Sequence, residues 1–246
     1  MKSEPLTSAF PATQWTTILR LRRSDDSGVT ALALEDLCKK YWYPLYAFAR
    51  RQGQSSHDAQ DLTQGFLSYV IHKKLFATAA PEIGKLRTFL LIAFRRYLSN
   101  VKDREHAIKR GGHNEILSLD VKAGEERYVG EPVDSVTPES LFERNWAVLV
   151  LKCAFRELAD TESKAGRGLQ FSALEAFLSP DAEMAETYQT VAARLAISEE
   201  AARQTVSRLR KRFREVLRRH IADTLCDPTE AQIDSELLSL REALRR

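Results

Sequence analysis

A group of cationic and amide side chains late in the chain has the chemistry needed to bind nucleic acid. Eight Arg or Lys residues and a single acid, Glu215, lie between Arg203 and Arg219. Arginine pairs with guanine through two hydrogen bonds and glutamine does the same with adenine, whereas additional cations neutralise phosphates without reading sequence. The same run also fits a helix face that is merely solvated. The predicted DNA-contacting residues are Arg203, Gln204, Ser207, Arg208 and Lys211.

A second basic group lies in the first half of the chain, where cations are interleaved with aromatic residues. Residues 87–110 contain seven Arg or Lys residues together with Phe89, Phe94 and Tyr97. Bases of a single strand can stack on aromatic rings while the cations hold the backbone. Aromatic residues at helical spacing more often pack in a core, so composition alone leaves both interpretations open.

Residue patterns typical of enzymes and metal sites are absent from the sequence. The five histidines form no ligand-spaced cluster, and Cys38, Cys153 and Cys226 are far apart. No glycine-rich phosphate loop occurs, and the acids that could pair for catalysis are dispersed. We therefore predict that the protein is not an enzyme and that it takes no metal and no cofactor.

The elements that position the two basic groups are predicted to be helices. Only 10 Gly and 8 Pro occur in 246 residues, and apolar residues recur at spacings of three and four. Pro44 should kink or split the first helix. The predicted helices cover residues 31–51, 58–75, 86–109, 138–160, 171–178, 187–196 and 198–221, followed by a short helix after Asp227.

The helices predicted over 187–196 and 198–221 are expected to form a helix-turn-helix over Thr187–Arg214. Ala196 and Ile197 make the turn, and Ser198 is a suitable N-cap for the second helix. An alanine in a left-handed turn costs about 1 kcal/mol, which is tolerable. A short helix, tight turn and long basic helix fit docking in the major groove. A helical hairpin that binds protein or RNA is the alternative.

An acidic stretch divides the chain. Seven acids and only two cations, Lys122 and Arg127, lie between His113 and Ser140. With its Gly and Pro residues, this stretch is typical of a linker. We predict an all-α protein of two small helical domains, over 1–112 and 137–225, joined by a flexible acidic linker over 113–136 and followed by a helical extension over 226–246.

No apolar run in the sequence approaches the ~20 residues that a membrane-spanning helix needs. The longest such runs are Phe89–Phe94 and Ala147–Leu151. The N-terminus also lacks the apolar core and cleavage site of a signal peptide. The expected location is the cytoplasm, with no membrane partner.

In this order, the two basic groups resemble an RNA polymerase sigma factor of the extracytoplasmic-function group of the sigma-70 superfamily. The likeness covers most of residues 14–225, and the DLTQ and KRGG stretches look most like planctomycete-type variants. Three stretches resemble region 2 of these factors: YWYPLYAFARRQG (41–53), DAQDLTQGFLSYV (58–70) and LRTFLLIAFRRYLSNVKDREHAIKRGG (86–112). Two further stretches, Thr137–Leu158 and Tyr188–Ile221, resemble region 4.

The resemblance implies that the chain binds core RNA polymerase and promoter DNA but catalyses nothing itself. Region 2 would bind the β′ clamp helices and melt the −10 element, while region 4 would read the −35 element as duplex and contact the β flap. The implied polymerase-binding residues are Asp58, Asp61, Gln64 and Tyr69. The implied −10 residues are Arg87, Phe89, Arg95, Arg96, Asn100, Arg104, Lys109 and Arg110.

The clamp-binding stretch is less acidic here than in many members of the group, because Gln60 and Gly65 occupy positions that are often acidic. Thr63 lies in this stretch beside Asp58 and Asp61. A phosphate on Thr63 would add about −1.5 to −2 charges and restore attraction to a basic clamp. This hypothesis adds a regulatory kinase to the candidate partners, alongside an anti-sigma factor; an ordinary polar helix residue is the alternative.

Two further functions stay open from the sequence. One is a helix-turn-helix transcription regulator that is not a polymerase subunit and uses the first half of the chain for a ligand or for dimerisation. The other is a helical adaptor that binds only protein. Salt-insensitive binding to a protein partner, with no affinity for DNA, would support the adaptor.

Overall fold

The computed structural model describes residues 27–72, 84–107, 121–129, 137–178 and 187–245. This part of the chain is predominantly helical and contains no strand, which confirms the all-α prediction. The helices are α1 (Ser27–Arg51), α2 (Ser56–His72), α3 (Leu86–Ala107), α4 (Val121–Val129), α5 (Pro138–Lys164), α6 (Gly168–Leu174) with a 3₁₀ turn (Glu175–Leu178), α7 (Tyr188–Leu195), α8 (Glu199–Ala222) and α9 (Glu230–Arg245).

The chain separates into two compact units whose limits differ from the predicted domains. Unit 1 comprises Met1–Val148 and Ala222–Arg246, and unit 2 comprises Leu149–Ile221. The first part of α5, which the sequence assigns to the C-terminal domain, belongs to unit 1. The reason is a set of ion pairs and hydrogen bonds: Glu139 pairs with Arg95, Glu143 with Arg87, and Asn145 accepts from Arg127.

The core of unit 1 is built on α1, α2 and α3. Residues 41–49 of α1 are all buried, and the helix continues through Pro44, so the predicted split does not occur. The Phe94 ring of α3 lies 6.0 Å from Phe48 and 4.9 Å from Phe66, centroid to centroid. These contacts place apolar residues of α3 inside the unit and leave its polar face outside.

A helix forms inside the predicted linker, so a flexible linker over 113–136 is not confirmed. Helix α4 packs on α1: a Cβ on Gly124 would lie 2.7 Å from the Trp42 ring, so only glycine fits there. Glu125 accepts hydrogen bonds from Tyr46 and from Arg50, the latter at 2.8 Å. The sequence interpretation counted this glycine among the features of a linker, whereas in the structure it permits the close approach of α4 to α1.

Unit 2 has a separate apolar core between α5, α6, α7 and α8. Rings of Phe155 and Phe171 lie 5.6 Å apart, and Phe177 stacks on Tyr188 at 4.4 Å. This packing fixes α7 and α8 relative to the end of α5. The buried members of the core are Leu158, Phe171, Leu174, Phe177, Val191, Val206 and Leu209.

Among the residues described, every helix is too short or too polar to cross a lipid bilayer.

Candidate nucleic-acid interface

The turn between α7 and α8 has the geometry predicted for a helix-turn-helix. Thr187 caps α7 by accepting a hydrogen bond from the backbone N–H of Thr190. Ala196 adopts the left-handed conformation, with φ 52° and ψ 41°, and the N–H of Ile197 returns to the carbonyl of Ala192 at 3.0 Å. Ser198 then accepts from Ala201 N–H at 3.1 Å and caps α8. The predicted left-handed alanine is therefore confirmed.

Helix α8 separates an apolar inner face from a basic outer face. Ala202, Val206 and Leu209 are buried against the core of unit 2, which follows from their spacing of three and four. The opposite side carries every residue predicted to contact the −35 duplex. All five of these residues are exposed: Arg203, Gln204, Ser207, Arg208 and Lys211.

Two acids at the start of α8 hold the side chains predicted to read bases. Glu199 accepts from Arg203 at 2.7 and 3.1 Å, and Glu200 accepts from Gln204 at 3.2 Å. The hydrogen bond to Glu199 raises the pKa of Arg203 above its ordinary value, and its guanidinium lies 4.5 Å from the centroid of the Tyr188 ring. The sequence interpretation missed these acids, although their i, i+4 spacing was a readable signal.

The second basic group divides into buried and exposed members. Arg87 is 5% exposed and Phe89 is 6% exposed, so neither is presented to solvent. Arg95, Arg96 and Asn100 are exposed on α3. The side chain of Arg104, together with Lys109 and Arg110, lies outside the described residues.

Arg87 is held within unit 1 by partners distant in sequence. Its guanidinium donates to Glu236 of α9 and to Glu143 of α5, the latter at 2.7 Å, and lies 4.0 Å from the centroid of the Trp146 ring. Lys85 also pairs with Glu236 at 2.5 Å. A buried arginine with two carboxylates and an aromatic face is satisfied internally, and nothing in the local sequence signals these partners.

The residues implied to bind polymerase lie on α2 with different exposures. Asp58 and Asp61 are exposed, Tyr69 is 40% exposed, and Gln64 is buried. Asp61 pairs with His57 at 3.3 Å, one helical turn earlier.

Thr63 is fully buried, and its hydroxyl donates to the carbonyl of Ala59 at 2.7 Å. A kinase could reach this hydroxyl only after local opening of α2, so phosphorylation there stays a prediction that the folded geometry does not favour.

The described residues contain no group of three or more His, Cys, Asp or Glu side chains arranged to hold a metal ion. The chain matches no protein-family model, no curated protein and no solved structure.

Proposed function

We propose that the protein binds duplex DNA through α7 and α8 and serves as a sigma subunit of RNA polymerase, of the extracytoplasmic-function type. The observation that carries the proposal is the helix-turn-helix, whose second helix exposes Arg203, Gln204 and Arg208 on one side while its other side is buried. This is the arrangement that places a recognition helix in the major groove.

The outer face of α8 provides both kinds of contact that a duplex requires. Arg203 and Gln204 lie in its first two turns, where side chains of a recognition helix reach base edges. Arg208, Lys211 and Arg214 follow along the helix and are exposed, so they are suited to phosphates. The hydrogen bonds that Arg203 and Gln204 donate to Glu199 and Glu200 restrain the base-reading pair before DNA binds, which lowers the entropy cost of binding.

The sigma assignment also draws on exposed groups of unit 1. Asp58, Asp61 and Tyr69 provide acidic and aromatic contacts on α2 for the β′ clamp helices, while Arg95 and Arg96 offer cations on α3 for the opened −10 strand. Because Arg87 and Phe89 are buried, the proposed strand-binding set excludes them. The proposal includes core polymerase as partner, with its β flap as the region 4 contact, and a cytoplasmic location.

The test is promoter-dependent run-off transcription with core polymerase on fragments of the source genome, together with measured binding to core. Arg203→Ala should lose about 1–3 kcal/mol of discrimination among −35 sequences, because a bidentate base contact is removed. Arg241→Ala, at an exposed arginine of α9, is the matched control and should discriminate like the wild type. Failure to bind core polymerase under any condition would exclude the sigma assignment.

The burial of Arg87 and Phe89 favours one second candidate, a helix-turn-helix regulator that binds duplex DNA without opening it. Such a protein would bind a specific duplex tightly in the absence of polymerase. Permanganate reactivity of unpaired thymines separates the two functions, since a sigma subunit with core polymerase opens the −10 region and a simple regulator does not.

A further inference from the structure

A polar groove in unit 2 lies beside α8 and is not part of the base-reading face. It has a volume of about 160 Å³ and is lined by Arg167, Arg208, Arg212, Gln170 and Thr205, with Glu162 among them. Three guanidinium groups and one carboxylate give these walls a net charge of +2. A groove with this excess of cations attracts an anion.

Glu162 organises the two arginines that come from different elements. Its carboxylate is 2% exposed and accepts from Arg167 Nε through one oxygen and from Arg212 Nη1 through the other, both at 2.6 Å. The two arginine side chains are 42% and 44% exposed. Each guanidinium has five N–H donors in a rigid fork, so the ion pair fixes its plane and leaves donors for a second oxygen ligand.

The groove adjoins the face of α8 that the proposed function assigns to DNA. Arg208 follows Gln204 by one helical turn, and Arg212 follows Arg208 by another. Thr205, which also lines the groove, accepts from Arg208 at 3.4 Å. A duplex that presents its bases to Arg203 and Gln204 also presents phosphates along the flank of the same helix.

We propose that Arg167, Arg208 and Arg212 bind a phosphodiester of the DNA backbone, and that Glu162 is the positioning residue that sets the planes of two of these guanidiniums. The inference rests on the proposed duplex binding by α8 and extends it to residues before the helix-turn-helix. The donors that Glu162 leaves free on Arg167 and Arg212 would bind the phosphate oxygens through charge-assisted hydrogen bonds, the kind that arginine forms readily with phosphate. The contact provides affinity and register without sequence discrimination.

The experiment measures duplex affinity against salt concentration for the full chain, alone and with core polymerase. Arg167→Ala and Arg212→Ala should each weaken binding equally on all sequences and reduce the slope of log K against log salt by about 1, since one phosphate contact is lost. Arg241→Ala should keep the wild-type slope. Wild-type slopes for both groove variants would overturn the inference while leaving binding through Arg203 intact; absence of any duplex binding by the wild type would overturn the proposed function itself.

Glu162→Gln separates positioning from simple charge. The substitution makes the groove more positive, so a purely electrostatic effect would strengthen DNA binding. A positioning role predicts weaker binding and a smaller slope, with the far-ultraviolet circular dichroism unchanged. Stronger binding by Glu162→Gln, or binding of inorganic phosphate alone with an unchanged DNA slope in Arg167→Ala, would overturn the inference.

Discussion

Single residues decide how the helix-turn-helix is made. Ala196 reverses the chain in the left-handed region, where a Cβ is unfavourable, and the hydroxyls of Thr187 and Ser198 satisfy the first N–H groups of the two helices. These features depend on neighbours within five residues. For that reason the sequence alone predicted the turn, the cap at Ser198 and the conformation of Ala196.

Ala196→Gly is expected to raise the free energy of unfolding by up to about 1 kcal/mol, because glycine adopts this conformation without steric cost. Ala193→Gly is the matched control, since Ala193 is exposed in the helix of the same turn. That change should lower the free energy of unfolding by about 1 kcal/mol. Urea denaturation measures both values, and destabilisation by Ala196→Gly would contradict the left-handed assignment.

Glu162 is expected to make the stability of unit 2 depend on pH in the acid range. The hydrogen bond from Arg167, aided by that from Arg212, lowers the pKa of the Glu162 carboxyl below its ordinary value of 4.5. The stabilising contribution is therefore complete above pH 4.5 and is lost as the pH falls through the lowered pKa. In urea titrations at a series of pH values, Glu162→Gln should show a shallower loss of stability in this acid range. Glu215→Gln, at an exposed carboxylate of α8, should follow the wild-type curve; an equal flattening there would contradict the assignment.

At the scale of elements, two helices have roles that the sequence did not predict. Helix α4 was not predicted, because it lies in an acidic, glycine-containing stretch. Its position depends on the close packing of Gly124 against the Trp42 ring and on the ion pair between Glu125 and Arg50. Helix α9 was predicted as a helix without a docking site. In the structure its Glu236 is buried with Arg87. Both placements depend on pairs 75 or more residues apart, which periodicity and capping rules cannot detect.

Glu236→Ala is expected to lower the free energy of unfolding by up to about 3–5 kcal/mol, because it removes the more deeply buried of the two carboxylates that pair with the buried Arg87. Urea denaturation of unit 1, followed by tryptophan fluorescence, measures this loss. The double variant Arg87→Met with Glu236→Leu should recover most of it, since neither charge remains buried. Glu242→Ala, on the exposed side of α9, should change stability by less than about 0.5 kcal/mol. Equal effects of Glu236→Ala and Glu242→Ala would contradict the role given to the buried pair.

At the scale of the whole molecule, local patterns predicted the helices and the exposed polar face of α8, but not that residues 222–246 belong to unit 1. The exposed residues of α8 could be predicted because its apolar residues recur at helical spacing and mark the buried face, which leaves the polar residues outside. The sequence gives no reason to treat Arg87 and Arg95 differently, and only the fold distinguishes them. Arg87 is buried and pairs with carboxylates of α5 and α9, whereas Arg95 lies on the outer side of α3 and pairs with Glu139. A basic segment thus predicts nucleic-acid contact only for the cations that the tertiary structure leaves outside.

The return of residues 222–246 to unit 1 has a consequence for synthesis on the ribosome. Unit 2 is continuous in sequence, over Leu149–Ile221, and unit 1 is interrupted by it. Hydrogen bonds from Leu86 N–H to Thr224 and from Cys226 N–H to Gly84 close unit 1. Domains generally fold as units during translation. Unit 2 can therefore complete its fold before residues 222–246 join unit 1, so a nascent chain carries the exposed basic face of α8 before unit 1 is complete.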